Sequence, residues 1–167
     1  MKINLSGIAL ESIVDGPGIR FVIFTQGCPH KCAGCHNPST HDFSGGTPYD
    51  LEYITDEFKK HPFMTGLTIS GGEPFCQPKE VLEIIKVFKE LYPRKNIIIY
   101  TGYLFEHLVS MDNQDITDIL HLSDYLIDGP FVLAKRDISL KFRGSSNQRI
   151  IDLKESFINN KVIEKEF

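Results

Sequence analysis

The sequence has 167 residues, of which 41% are hydrophobic and 24% are charged, and these proportions are typical of one globular domain with its own core. The formal net charge of -4 argues against general binding to nucleic acid. No apolar run approaches the roughly 20 residues that a membrane span requires. We therefore expect a single domain, residues 1–167, with neither a nucleic acid nor a membrane as a partner.

The N-terminal residues and the cysteines indicate the compartment and the kind of site. Residues 1–6 lack the apolar core and the cleavage site of a secretory signal, which predicts a cytoplasmic protein without disulfides. Three of the four cysteines, Cys28, Cys32 and Cys35, lie within eight residues. This crowding favours a metal or cluster site over a disulfide framework.

Four short runs rich in Ile, Val, Phe and Tyr predict strands. They are, in chain order, residues 20–25, 66–70, 96–100 and 124–127. The runs are continuously apolar rather than alternating, as expected of strands that are buried on both faces of a parallel sheet.

Helical spacing between these runs predicts the crossovers. Asp50 can cap a helix that carries Leu51, Ile54 and Phe58 on one face. A second helix begins near Pro78, and a shorter one lies around Ile116, Ile119 and Leu120. Alternating strands and helices indicate an α/β domain with right-handed crossovers.

Distinctive loops follow each predicted strand at its carboxyl end. They are Cys28 to Cys35, Ser70-Gly71-Gly72-Glu73-Pro74, Tyr100-Thr101-Gly102-Tyr103 and Asp128-Gly129-Pro130. Because the carboxyl ends of parallel strands meet at one edge of the sheet, we expect the four loops to converge on one site.

The spacing Cys-x3-Cys-x2-Cys supplies three thiolates for a cubane iron–sulfur cluster, which normally takes four cysteine ligands. With three ligands, one iron stays open to a substrate or cofactor. The alternatives are a zinc site completed by His30 or His36, and ordinary buried thiols. Cys76 either completes a four-thiolate cluster or is a small buried residue beside the glycine loop, and we favour the second interpretation.

Each of the other motifs, taken by itself, is weaker evidence of function. Gly71-Gly72 lets the main chain approach a ligand closely, but it also suits a tight turn, as does Asp15-Gly16-Pro17-Gly18. Tyr100 or Tyr103 can stack on an aromatic ligand or pack in the core. The basic segment 135–149 is either a solvated face or a donor-rich loop that binds a carboxylate or the backbone of a partner.

Taken together, the three-cysteine loop and Gly71-Gly72-Glu73-Pro74 resemble the radical S-adenosylmethionine superfamily. Residues 15–20, 27–38, 100–103 and 128–149 are more closely similar to the family of proteins that activate anaerobic ribonucleotide reductases. The resemblance runs from about residue 7 to residue 151. It implies an α/β fold, a single-domain partial parallel β/α barrel of the radical S-adenosylmethionine type.

The resemblance also implies cofactors, partners and roles. Cys28, Cys32 and Cys35 would hold one 4Fe-4S cluster, and its open iron would chelate S-adenosylmethionine. The implied cofactor-binding residues are Gly34, Cys35, His36, Gly71, Gly72, Glu73, Pro74, Thr101 and Asp128, the last two binding either cofactor or a cation. The partners would be the glycyl-radical loop of the reductase large subunit and an electron donor such as flavodoxin or a ferredoxin.

Two other functions compete with this interpretation. The protein could activate another glycyl-radical enzyme, such as a formate-lyase. It could also be a non-catalytic iron–sulfur carrier or a zinc-stabilised binding module.

Overall fold

A seven-stranded sheet runs through the computed structural model, which describes residues 1–167. The strands are β1 (Lys2–Ser12), β2 (Arg20–Thr25), β3 (Thr47–Asp50), β4 (Gly66–Gly71), β5 (Asn96–Tyr100), β6 (Tyr125–Asp128) and β7 (Arg149–Asp152). Their order in the sheet is β3-β1-β2-β4-β5-β6-β7. The four predicted strands are β2, β4, β5 and β6, with ends that differ by at most one residue.

The sheet is mixed, whereas the sequence predicts parallel strands alone. β2, β4, β5 and β6 pair in parallel, but β1 is antiparallel to β2 and β3, and β7 is antiparallel to β6. The physical reason is the connection: the short loop between β1 and β2 contains no helix, and parallel neighbours need a longer crossover. The edge strands β3 and β7 do not pair with each other, so the barrel is incomplete.

Five α-helices connect or follow these strands. They are α1 (Leu51–Lys60), α2 (Pro78–Leu91), α3 (Phe105–Ser110), α4 (Gln114–Leu122) and α5 (Leu153–Asn159). α1, α2 and α4 are the predicted helices, while α3 and α5 were not predicted. Asp50 is the N-cap residue of α1 as predicted, but its side chain makes no capping hydrogen bond.

The two faces of the sheet are covered differently. Alternate strand residues, such as Ile97 and Ile99 of β5, pack under the helices in a core of 25 buried residues. On the other face, Ile98 packs with Ile127 and Ile150 in a small apolar cluster. Loops and the C-terminal Phe167 cover this second face, and the candidate site lies at its edge.

Arg20 ties the loop between β1 and β2 to the sheet. Its guanidinium is fully buried, and Nε donates to Thr68 Oγ1 at 2.7 Å while Nη2 donates to the Leu67 carbonyl at 2.8 Å. Nη1 donates to the carbonyl of Pro17 at 3.3 Å. Burial lowers the pKa of Arg20 to about 10. This side chain therefore fixes the loop that carries Asp15 over the second face.

Replacing Arg20 by Met is expected to lower the free energy of unfolding by about 3 kcal/mol, because buried acceptors lose their donors. Urea unfolding measures this change. Arg94→Met is the matched control, since Arg94 is exposed, and it should change stability by less than about 0.5 kcal/mol. Equal stability of the two variants would contradict the anchoring role.

Candidate functional site

A cavity of about 280 Å³ lies where the parallel strands end. All four predicted loops contribute to its wall: the cysteine loop, Gly71 and Gly72, residues 100–102, and Gly129. The loops converge as the sequence predicts, because β2, β4, β5 and β6 run in the same direction.

The three clustered cysteines all line this cavity as free thiols. Lys31 and Gly34 both have positive φ angles, of 48° and 75°, which turn the loop back on itself. The amide of Cys35 donates to the Cys32 carbonyl at 3.2 Å, and the amide of Asn37 donates to Cys35 Sγ at 3.4 Å. The backbone thus presents three sulfur atoms to one cavity, and backbone amides give hydrogen bonds to the sulfurs of Cys35 and Cys28.

The donor set suits an iron–sulfur cluster better than a zinc ion. Burial raises the pKa of the Cys28 thiol, so its ionisation is favoured by a cationic centre, whether a zinc ion or a cluster. A cluster separates its ligands over different irons, and three soft thiolates on one wall fit that demand.

Cys76 lies outside the cavity wall. It is partly buried, and burial is the largest of the effects that raise its pKa to about 11. Its neighbours include Glu73, Cys28 and Tyr103, so it lies near one of the clustered cysteines although it does not line the cavity. This placement supports the interpretation of Cys76 as a packed residue rather than a fourth ligand.

The main chain of Gly71 and Gly72 lies in direct contact with the last residue of β2 and the residues that follow it. Gly71 has a φ of +103°, and a side chain there would overlap the backbone of Thr25. A side chain at Gly72 would overlap the carbonyl of Gly27. The amide of Gly72 donates to the Thr25 carbonyl at 2.8 Å. Only glycine allows this approach, which leaves the main chain of both residues at the cavity wall.

Glu73 is placed behind the wall rather than in it. Its side chain is fully buried, and its oxygens accept from Thr101 Oγ1 at 2.9 Å and from the Gly102 amide at 2.9 Å. Pro74 is also buried and outside the lining, and Gly34 packs against Leu133 instead. The structure therefore separates these residues from His36 and Thr101, which line the cavity.

Asp128 lies on the helix side of the sheet. It is fully buried, accepts from the Phe105 amide at 2.8 Å and binds Arg149 Nε at 3.0 Å. Arg149 also binds Glu106, and its hydrogen bonds to Asp128 are the main reason why its pKa is raised. Strand alternation puts Asp128 on the same side as Leu126, away from the cavity.

Several cavity residues were not predicted as site residues. Asp15, Phe131 and Gln148 line the wall, and His36 lies 5.6 Å from Phe131 between ring centroids. Gln148 closes its loop by donating to the Gly129 carbonyl at 3.0 Å. The sequence signals for this wall were the Asp15-Gly16-Pro17-Gly18 turn, the resemblance over residues 128–149 and the donor-rich composition of segment 135–149.

The two tyrosines of the β5 loop have different positions. Tyr100 lines the cavity, its hydroxyl donates to the Phe142 carbonyl at 2.8 Å, and burial raises its pKa. Tyr103 packs edge-on against His30 at 4.5 Å between centroids. Tyr100 is therefore the tyrosine that a bound ligand can touch.

None of the helices is both long enough and apolar enough to span a membrane.

The fold and the three-thiol cavity define an iron–sulfur protein, and residues 14–151 match the family described as "4Fe-4S single cluster domain". An anaerobic ribonucleoside-triphosphate reductase-activating protein of Escherichia coli (strain K12) is 36% identical over 149 residues, covering 85% of this chain and 94% of that protein. A protein of the same description from Vibrio cholerae is 37% identical over 144 residues, which cover 83% and 90%. The counterpart in Enterobacteria phage T4 is 33% identical over 144 residues, which cover 82% and 86%.

The chain belongs to the family of anaerobic ribonucleoside-triphosphate reductase-activating proteins. The predictions of this family, of an α/β fold of the radical S-adenosylmethionine type and of a single 4Fe-4S cluster are confirmed.

Proposed function

We propose that this protein activates an anaerobic ribonucleoside-triphosphate reductase through a 4Fe-4S cluster held by Cys28, Cys32 and Cys35. The observation that carries the proposal is the shared cavity: three thiols and the Gly71-Gly72 main chain line it, and the fourth cysteine does not. When bound and reduced, the cluster supplies the electron that cleaves S-adenosylmethionine to methionine and a 5'-deoxyadenosyl radical, which takes a hydrogen atom from a glycine of the reductase.

The cavity residues have distinct parts in binding the cofactor. Cys28, Cys32 and Cys35 would hold three irons of a bound 4Fe-4S cluster, and the fourth iron, without a protein thiolate, would be open to the amino and carboxylate groups of S-adenosylmethionine. The main chain of Gly71 and Gly72 is available to the methionine part of the cofactor. His36 and Thr101 also contact the cavity and are placed to touch the remainder of the cofactor.

The remaining predicted residues act from behind the wall. Glu73 and Pro74 fix the course of the glycine loop, and Gly34 lets the cysteine loop pack under Leu133. Asp128 joins β6 to α3 and β7 through Phe105 and Arg149. In this proposal Asp128 supports the site without touching cofactor or a cation.

The protein also has to shield the reactive intermediate from water and from stray hydrogen donors. Phe24, Tyr100 and Phe131 contribute aromatic surface to the wall. Aromatic walls limit the access of water and stray hydrogen donors to a reactive intermediate. The open side of the cavity is where the glycine loop of the reductase large subunit would enter.

The reducing electron comes from a separate carrier, such as flavodoxin or a ferredoxin. Four free thiols suit the reducing conditions of the cytoplasm, which is the proposed location.

Cleavage of S-adenosylmethionine is expected to be slow in the absence of the reductase, because the cavity is closed only when the partner's loop enters it. The measurement is the rate of methionine formation by the anaerobic, reduced protein with and without the reductase. Equal rates in the two reactions would contradict gating by the partner.

A further inference from the structure

His30 occupies a fitted slot between the cysteine loop and the ends of β4 and β5. Its Nε2 lies 2.6 Å from Glu73 Oε2, and its ring packs edge-on against Tyr103 at 4.5 Å between centroids. A side chain at position 102 would overlap the imidazole, so Gly102 forms the third wall of the slot. The ring is held on three sides although it belongs to a loop, and His30 also lines the cavity.

Glu73 connects this slot to the other two loops of the cavity. Its Oε1 accepts from the Phe75 amide at 3.1 Å, and its carboxylate also accepts from Thr101 Oγ1 and the Gly102 amide, each at 2.9 Å. The Glu73 amide donates to the Gly27 carbonyl at 2.8 Å. One carboxylate thus joins the β4 loop, the β5 loop and, through His30, the cysteine loop.

The contact with His30 matters for stability because the Glu73 carboxylate is buried and cannot be solvated by water. The Glu73 side chain has no exposed surface, and no Lys or Arg forms an ion pair with it. His30 is the one basic side chain that contacts its carboxylate. A buried carboxylate is costly without such partners, so loss of the imidazole would leave Glu73 short of a donor and free the cysteine loop.

We propose that His30 is a positioning residue, which acts through Glu73 to fix the cysteine loop relative to the Gly71-Gly72 main chain. The role assigned to His30 is thus to hold the loop through its Nε2, which is engaged by the carboxylate, and not to bind a metal. The proposal deepens the function above and rests on it, since the two parts held in place are the cluster ligands and the main chain that receives the cofactor.

The test compares three variants after anaerobic cluster reconstitution. His30→Ala removes the donor, while His30→Gln keeps an amide nitrogen that can reach Glu73. His107→Ala is the matched control, because His107 also packs against Tyr103, at 5.3 Å, but is exposed and has no contact with Glu73. The readouts are iron content and the resonance spectrum of the reduced cluster as S-adenosylmethionine is added.

Loss of one charge-assisted buried hydrogen bond is expected to raise the S-adenosylmethionine concentration that half-changes the spectrum of His30→Ala by about ten-fold. His30→Gln should recover most of this loss, and His107→Ala should match the wild type. Loss of iron from His30→Ala alone, with recovery in His30→Gln, would also support the positioning role.

An unchanged response in His30→Ala would overturn the positioning role and leave the proposed function intact. Loss of iron from both His30→Ala and His30→Gln would overturn it too, because it would make His30 a ligand. A wild-type spectrum that S-adenosylmethionine does not alter would instead overturn the proposed function, and the positioning role with it.

Discussion

Replacement of Cys32 by Ser is expected to abolish both the cluster and the glycyl radical on the reductase. Three thiols line the cavity, and each is needed because no other cysteine can substitute from that wall. A hydroxyl is a poor replacement for a soft thiolate on iron. The measurements are iron and sulfide content, the visible absorbance of the reconstituted protein, and the radical signal, all of which should fall to background.

Cys76→Ala is the control for this experiment. Cys76 is partly buried outside the cavity, so its replacement should leave the cluster absorbance and the radical signal intact. Loss of the cluster in Cys76→Ala would show a fourth thiolate ligand and contradict an open iron. An intact cluster in Cys32→Ser would contradict the assigned ligand set.

Replacement of Gly71 by Ala is expected to be the most damaging change outside the cysteines. The residue would have to keep a φ of +103°, and its methyl group would overlap the Thr25 backbone. Positive φ and a main-chain clash together should lower the free energy of unfolding by about 3 kcal/mol. The S-adenosylmethionine concentration that half-changes the spectrum of the cluster should also rise at least about ten-fold. The reason is that relocation of the Gly71-Gly72 main chain costs at least one hydrogen bond.

Gly7→Ala is the matched control for Gly71→Ala. Gly7 lies in β1, and an added methyl group there would have no atom within 4 Å. Its effect on stability should stay within about 0.5 kcal/mol. Urea unfolding and the cofactor titration measure both variants. Wild-type stability and wild-type cofactor response in Gly71→Ala would show that the close approach to Thr25 is not required.

The parallel half of the sheet could be predicted because its strands carry a simple pattern. β2, β4 and β5 are buried on both faces along most of their length, and β2 and β5 are accordingly mainly apolar runs, while β4 carries Thr68 and Ser70 among its apolar residues. β1 and β3 lie at the antiparallel side, where burial varies along the strand, and they lack such a run. The burial of β1 depends on pairing with β2 and β3, which local composition does not reveal.

The site could be predicted as far as its motifs follow strand ends. The three cysteines, Gly71 and Thr101 reach the cavity because a parallel strand directly precedes each loop. Asp128 shows the limit of that rule: it ends β6, but its parity with Leu126 directs it to the helix side. The side of the sheet on which Asp128 lies can therefore be predicted from the alternation of side chains along a strand.

The part of the cavity wall that Asp15 and Gln148 form could not be predicted from strand ends. Asp15 reaches the cavity from the short loop between β1 and β2, and Gln148 from the longer segment between β6 and β7; the course of both depends on contacts made after folding. The buried Arg20 fixes one of these segments, and hydrogen bonds of Gln148 to Gly129 and Gly144 fix the other. Such contacts leave no periodic pattern in the sequence.

The central claim is that this chain generates a glycyl radical on its reductase. The direct measurement is electron resonance of the reductase after anaerobic incubation with the reconstituted protein, a reductant and S-adenosylmethionine. We expect a glycyl radical that needs all of these components and is absent with the Cys32→Ser variant. A fully loaded, reduced cluster that cleaves S-adenosylmethionine in the presence of the reductase but leaves no glycyl radical would contradict the account.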